Sequence, residues 1–227
     1  KKLSQFYLIR SIEKVMLGPE RKSFLFSKKE KEITAYHEAG HALLSSILPN
    51  ADPVHKVSIV ARGHAGGYTL KLPFEDRKLQ SRGEFLDDIV VSLGGYVAEE
   101  MIFGDVTTGP SSDLQVASAL ARNMVTKYGM SSLLGPIAFE RLVGGPIMGH
   151  GVEDKEYSEE VSAKIDKEIS KIINDGMARA KIILAKNKKA LDTIAKKLVE
   201  VETLEREEYE KVIIACGIIL KKPQEEK

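Results

Sequence analysis

Two histidines one helical turn apart, in the stretch "AYHEAGHALL" at 35–44, constrain this chain more than any other feature. Upstream, Ser27 and Glu30 of "SKKE" have the Ser-x-x-Glu form of a capping box, and an apolar-periodic run follows as far as Pro49. The spacing predicts a helix in which His37 and His41 project from one face. Glu38 then lies roughly 100° round the helix from His37, close enough to reach something held between the rings. Gly40 falls inside this helix, where glycine costs about 1 kcal/mol relative to alanine. With Ala39 and Ala42 beside it, Gly40 points to close packing around a site.

His-Glu-x-x-His on a helix is the zinc-peptidase pattern. Zinc prefers imidazole nitrogens at about 2.0–2.1 Å, and two residues one turn apart can supply a pair of them. A catalytic site then needs one more protein ligand and keeps one position for water. The metal lowers the pKa of that water, and Glu38 is placed to take its proton. The third ligand is open on spacing alone. A metzincin would need glycine and histidine three and six residues beyond His41, where this chain has Leu44 and Ile47. His55, His64 and His150 remain, each near proline or glycine and each as readily a surface histidine. Asp113 follows a glycine-containing turn and opens a helix, although such a carboxylate could simply complement the positive helix end. Glu99 and Glu100 of "GGYVAEEMIFG" are rivals.

The remaining pattern is mostly helical. "LSQFYLIRSIEKVMLG" has helical spacing up to Gly18, and "PERKSFLF" reads as a connector. "KVSIVAR" and "GGYTLKLP" read as two strands around "GHAGG". A helix is expected from "SRGE" to Gly104, and another from a capping box at Ser112 and Gln115 to about Tyr128. Residues 129–151 are a glycine-rich loop with room for one strand. Val161, Ile165, Ile169, Ile172 and Ile173 begin a long amphipathic helix; Leu191, Ile194 and Leu198 begin another, and "ETLEREEYEKVIIA" a last one. The fold class is therefore mainly α-helical, with a small two-stranded β-ribbon and a C-terminal helical bundle.

The 227 residues carry 34 basic and 33 acidic side chains, a net charge of +1, which argues against nucleic acid or a membrane surface bound through bulk charge. The single cysteine, Cys216, excludes an internal disulfide and reads as a small core residue. The apolar run around it, "VIIACGIIL", is too short to span a bilayer, and no signal peptide is visible. Because the chain opens on "KKLSQ" without methionine, it is expected to be an excised piece of a longer protein, soluble in itself.

"AYHEAGHAL", "GGYVAEEMIFGDVTTGPSSDLQVAS", "KYGMSSLLGP" and "ETLEREEY", in this order, resemble the peptidase domain of FtsH-type AAA+ zinc metalloproteases. The resemblance runs nearly end to end. It implies one zinc per chain bound by His37, His41 and Asp113, with Glu38 as general base. Glu99 and Glu100 would support the site from outside, Glu100 being the better placed to touch a ligand or its neighbours. Tyr96 stands where the family often has arginine, and Pro110 and Ser112 where it often has alanine and asparagine; no metal ligand is affected.

The resemblance further implies a homohexamer carrying an N-terminal membrane anchor and an ATPase module, acting on unfolded or membrane-protein polypeptides. Its place would be the cytoplasmic face of a bacterial inner membrane, or an organelle inner membrane or thylakoid in a eukaryote. No G-x-x-x-x-G-K-[ST] loop occurs in these residues, so ATP would act only through the ATPase module. Residues 1–26 are expected to be the tail of that module and a linker, 27–220 the zinc peptidase domain, and 221–227 a charged, flexible tail. The strand at Gly66, Gly67, Tyr68, Thr69 and Leu70 is a candidate edge for an extended substrate, or an ordinary edge shielded by Lys71 and Pro73. A reading from another class is a non-catalytic assembly module whose metal is structural.

Overall fold

The computed structural model describes residues 27–62, 66–73, 78–139 and 157–221, with the single positions 7, 11, 14, 15 and 18. The first helix is expected almost entirely outside these residues, as are the connector, His64, His150 and nearly all of the charged tail. Lys221, assigned to that tail, donates to the carbonyl oxygens of Ser45 and Ala51.

Helix α1, Lys28–Ile47, starts where its capping box lies: Glu30 N–H donates to Ser27 Oγ at 3.2 Å, and Ser27 N–H donates to Glu30 Oε2 at 2.9 Å. From Ala35 onward it is buried on nearly every side, which small residues make possible. Two strands follow, β1 (Val54–Ser58) and β2 (Tyr68–Lys71), paired antiparallel with Val57 opposite Thr69. Helices α2 (Arg82–Ser92), α3 (Gly94–Phe103) and α4 (Ser111–Thr126) come next, then the long α5 (Glu159–Lys186) and α6 (Lys188–Val201). A short β3 (Thr203–Glu205) leads into α7 (Arg206–Ala215).

The chain is mainly α-helical, as its periodicity indicates, but three local expectations are corrected. The ribbon is a three-stranded antiparallel sheet ordered β2-β1-β3. Its third strand comes from "TLE", which the helical pattern had absorbed. Glu202 ends α6 in the left-handed conformation (φ 61°) and turns the chain so that Leu204 lies opposite Val57. The helix expected from 81 to 104 is broken at Leu93, where Gly94 and Gly95 press against α1. Finally, α4 begins at Ser111 with Pro110 at its N-cap and no side-chain cap, so the Ser112–Gln115 capping box does not form. Starting two residues early makes Asp113 the third residue of the helix instead of the first. The loop segment 127–139 contains no strand beyond an isolated bridge between Ser131 and Gly135, and residues 140–156 lie outside the described set.

Two apolar clusters hold these elements. The larger gathers α1 with the sheet, α3, α6, α7 and the C-terminal end of α5. The smaller joins α2 and α4 to the N-terminal half of α5 through Phe85, Ile89, Ala121, Met124 and Ile165. Cys216 is only half-buried and packs on the edge of the larger cluster, not inside it. Among the described residues no helix is long and apolar enough to cross a membrane.

Gly40 has its reason in the α1–α3 contact. A Cβ there would lie 2.5 Å from the Gly94 carbonyl oxygen and 2.9 Å from Ala98 Cβ. Better helix propensity favours alanine by about 1 kcal/mol, while overpacking typically costs about 1–3 kcal/mol. Backbone cannot swing aside as a side chain can, so Gly40→Ala is expected to lower the denaturant midpoint. A midpoint equal to or above wild type would show that the two helices are free to separate here.

Candidate metal centre

The junction of the two clusters is where the polar groups converge. α1 brings His37, Glu38 and His41, α3 brings Glu99, and the first turn of α4 brings Asp113. Close approach is again required: a Cβ on Gly95 would lie 2.3–2.5 Å from ring atoms of His37. The glycine pair therefore leaves the space that the imidazole fills.

Both imidazoles are oriented through Nδ1. His41 Nδ1 is 2.7 Å from the Val91 carbonyl oxygen, which can only accept, so this nitrogen carries hydrogen. His37 Nδ1 is 2.8 Å from Glu99 Oε1, and the other Glu99 oxygen accepts from Thr107 N–H at 2.8 Å. Burial opposes charge on Glu99, but the hydrogen bonds from His37 and Thr107 outweigh it and hold its carboxyl below the usual range. Glu99 is thus ionised and accepts from His37.

The consequence falls on the other ring nitrogens. Both Nε2 atoms are left as lone-pair bearers, 3.0 Å apart. Asp113 Oδ2 lies 3.2 Å from His37 Nε2 and 3.6 Å from His41 Nε2. With neutral rings, three lone pairs meet and no donor stands among them. The arrangement requires a cation at its centre, either a proton or a metal. Burial opposes charge on His37, yet its hydrogen bonds to Asp113 and Glu99 and the charge of Glu38 raise its pKa to about 10. Asp113, also opposed by burial, is driven well below the usual carboxylate range by the two histidines. These three side chains offer ligand atoms within 4.8 Å of one another. Two imidazoles and one carboxylate suit zinc, and acceptors behind both rings are the usual support for metal-bound histidine.

Glu38 stands beside this trio, only 5% exposed. Burial pushes its pKa upward, and the charges of His37 and His41 and the Thr69 hydroxyl partly offset that. Thr69 Oγ1 donates to Glu38 Oε2 at 2.7 Å. A cleft of about 710 Å³ opens in front, walled by Gly66, Gly67, Tyr68 and Thr69 on one side and by Thr107–Gly109 and Ser111–Asp113 on the other.

Two expectations about residues near the site change. Glu100 does not face the cleft; it pairs with Lys181 at 3.3 Å, because successive helical residues point about 100° apart and Glu99 takes the inward direction. Leu70 does not line the cleft either; its side chain is buried. His55 lies in β1, outside the ligand trio. The Val91 carbonyl and the Thr107 amide were invisible in the sequence, since a backbone group carries no residue signature. For Gly95, the doubled glycine was a usable sign. A second cavity, about 670 Å³ between α2 and α5, shares no lining residue with the metal centre.

Comparison with known proteins agrees with this arrangement. The family model described as "Peptidase family M41" matches residues 24–212. The "ATP-dependent zinc metalloprotease FtsH 1" of Sphaerobacter thermophilus is 49% identical over 204 residues, covering 89% of this chain and 31% of that protein. The "ATP-dependent zinc metalloprotease FtsH" of Thermotoga maritima is 48% identical over 205 residues, covering 89% and 34%. For "ATP-dependent zinc metalloprotease FtsH 1" of Thermoanaerobacter sp. the identity is 45% over 213 residues, covering 93% and 35%. The chain spans about a third of the length of these curated relatives.

Ligand and support should separate by titration with a chromophoric chelator. Loss of a group that only orients a ligand costs about 10–100-fold in metal affinity. Glu99→Gln should fall in that range, and Asp113→Asn should lose more. The reverse ranking would make Glu99 the ligand and Asp113 the support.

Proposed function

We propose that this chain, which belongs to peptidase family M41, is the zinc-dependent endopeptidase unit of an ATP-dependent, membrane-anchored protease and hydrolyses unfolded polypeptides. One observation carries the reading: three lone pairs from His37, His41 and Asp113 converge at a cleft, with a buried carboxylate, Glu38, beside them.

Zinc held by His37, His41 and Asp113 would act as a Lewis acid, lowering the pKa of a water and polarising a peptide carbonyl. Glu38 is the proton carrier. Its Oε2 is engaged by Thr69, so Oε1 takes the proton from the attacking water and returns it to the leaving amine nitrogen. Glu99 keeps the His37 ring turned so that Nε2 presents its lone pair. An extended peptide would lie against β2 along Gly66–Leu70, pairing through main-chain groups, which favours broad sequence tolerance. Leu70 would contribute backbone alone.

The wider assembly belongs to the same proposal. Residues 27–220 are the peptidase domain, residues 1–26 lead in from an ATPase module, and the chains work as a homohexamer at a membrane. ATP acts only through that module. The rival reading is a structural metal in an assembly module. Structural zinc is normally closed by four protein ligands; among the described residues the trio has three, and a buried glutamate beside it would have no task.

Casein digestion with and without a chelator tests the reading, alongside zinc measured per chain. Glu38→Gln is nearly isosteric but accepts no proton. It should keep its zinc and lose about 10²–10⁴-fold or more in hydrolysis. Cleavage that persists after the metal is stripped would overturn the zinc chemistry, and full turnover by Glu38→Gln would remove Glu38 from it.

A further inference from the structure

We infer that Thr69 positions Glu38 from the edge strand, so that the strand proposed to receive substrate also sets the direction of the base. This rests on the proposed role of Glu38 and adds a residue to it.

The geometry gives Thr69 one task. Its hydroxyl has a single proton, and Glu38 Oε2 at 2.7 Å takes it in preference to the Glu38 carbonyl oxygen at 3.3 Å. The other carboxylate oxygen lies beside the backbone just before that strand. A Cβ on Gly67 would lie 2.9 Å from Glu38 Oε1, 3.0 Å from its Cγ and 2.8 Å from the Ser58 carbonyl oxygen. One carboxylate oxygen is therefore tied to a hydroxyl of β2, while the lack of a side chain at Gly67 leaves room for the other, the one proposed to take the proton.

The strand that does this is an edge. Among the described residues β2 pairs with β1 on one side only, with Val57 opposite Thr69, and Gly66–Thr69 line the cleft. A peptide that adds to β2 holds the backbone of Thr69 still, and the side chain of Thr69 holds Glu38. Without the hydroxyl, the carboxylate can rotate about its terminal bonds in the buried site. Peptide would still bind along β2, because its contacts are main-chain.

The expected signature is a split between turnover and binding. In the zinc-loaded full chain, Thr69→Val should lower kcat on an unstructured peptide by about 10–100-fold, the usual cost of losing a partner that orients a catalytic group. KM and zinc per chain should stay at wild-type values, and Thr69→Ser, which restores the hydroxyl, should recover most of the loss. Thr69→Ala, a second variant without the hydroxyl, should behave as Thr69→Val does. A readout without turnover is the infrared carboxylate band of Glu38, isolated as wild type minus Glu38→Gln. It should shift in Thr69→Val and return in Thr69→Ser. Wild-type kcat in Thr69→Val, or a loss that serine leaves uncorrected, overturns the inference. Full activity in Glu38→Gln would instead defeat the role of Glu38 as base, while the infrared shift would still report the hydrogen bond.

Discussion

The backbone contact between Gly40 of α1 and Gly94 of α3 is the constraint on which the rest of this structure depends. It lets two helices meet without intervening side chains, and everything at the site is measured from that closeness. At this separation Gly95 clears the His37 ring, Glu99 reaches His37 Nδ1, and the end of α2 brings the Val91 carbonyl to His41. Wider spacing would leave both rings free to turn. Cores tolerate changes in apolar shape at modest cost, but a contact between two backbones has no rotamer with which to adjust.

From that contact follows an electrostatic one. Fixing a hydrogen on each Nδ1 concentrates three lone pairs at the two Nε2 atoms and Asp113 Oδ2. The fold assembles negative potential there and meets the cost with buried apolar surface elsewhere. Glu38 lives in the same field yet shifts the opposite way from Asp113. Its desolvation is complete enough to raise its pKa, whereas Asp113 is dominated by direct contact with the histidines. Two carboxylates beside the same pair of imidazoles are thereby shifted in opposite directions.

What could be read from sequence divides along the range of the forces involved. Helix starts at Ser27 and Ser81 are local hydrogen-bond patterns and appear at the expected residues. The His-Glu-x-x-His spacing needs only helical periodicity. The place of Asp113 did not follow from spacing, because it reaches the histidines through packing of α4 on α2 and α5. Glu99 and Glu100 look alike in the sequence, and only the placement of α3 decides which turns inward. The break at Leu93 was missed for the same reason: a glycine pair inside an apolar run shows its purpose only beside α1. Strand β3 escaped because its pairing is remote, with Ser58 and Thr203 separated by 145 positions.

That remote pairing has a bearing on how the protein is made. β1 is the middle strand, with one neighbour a few residues downstream and the other near the end of the chain. At about 5–20 residues per second, a ribosome needs roughly 7–30 s to pass from one to the other. Through that interval the ribbon has two strands, a form of marginal stability in water. Tyr209, whose hydroxyl donates to the Ala42 carbonyl oxygen at 2.8 Å, is made later still. The wall of the cleft that carries Thr69 is therefore braced only after the histidines have long left the ribosome. A nascent chain therefore carries His37, His41 and Asp113 well before the sheet beside their cleft is complete.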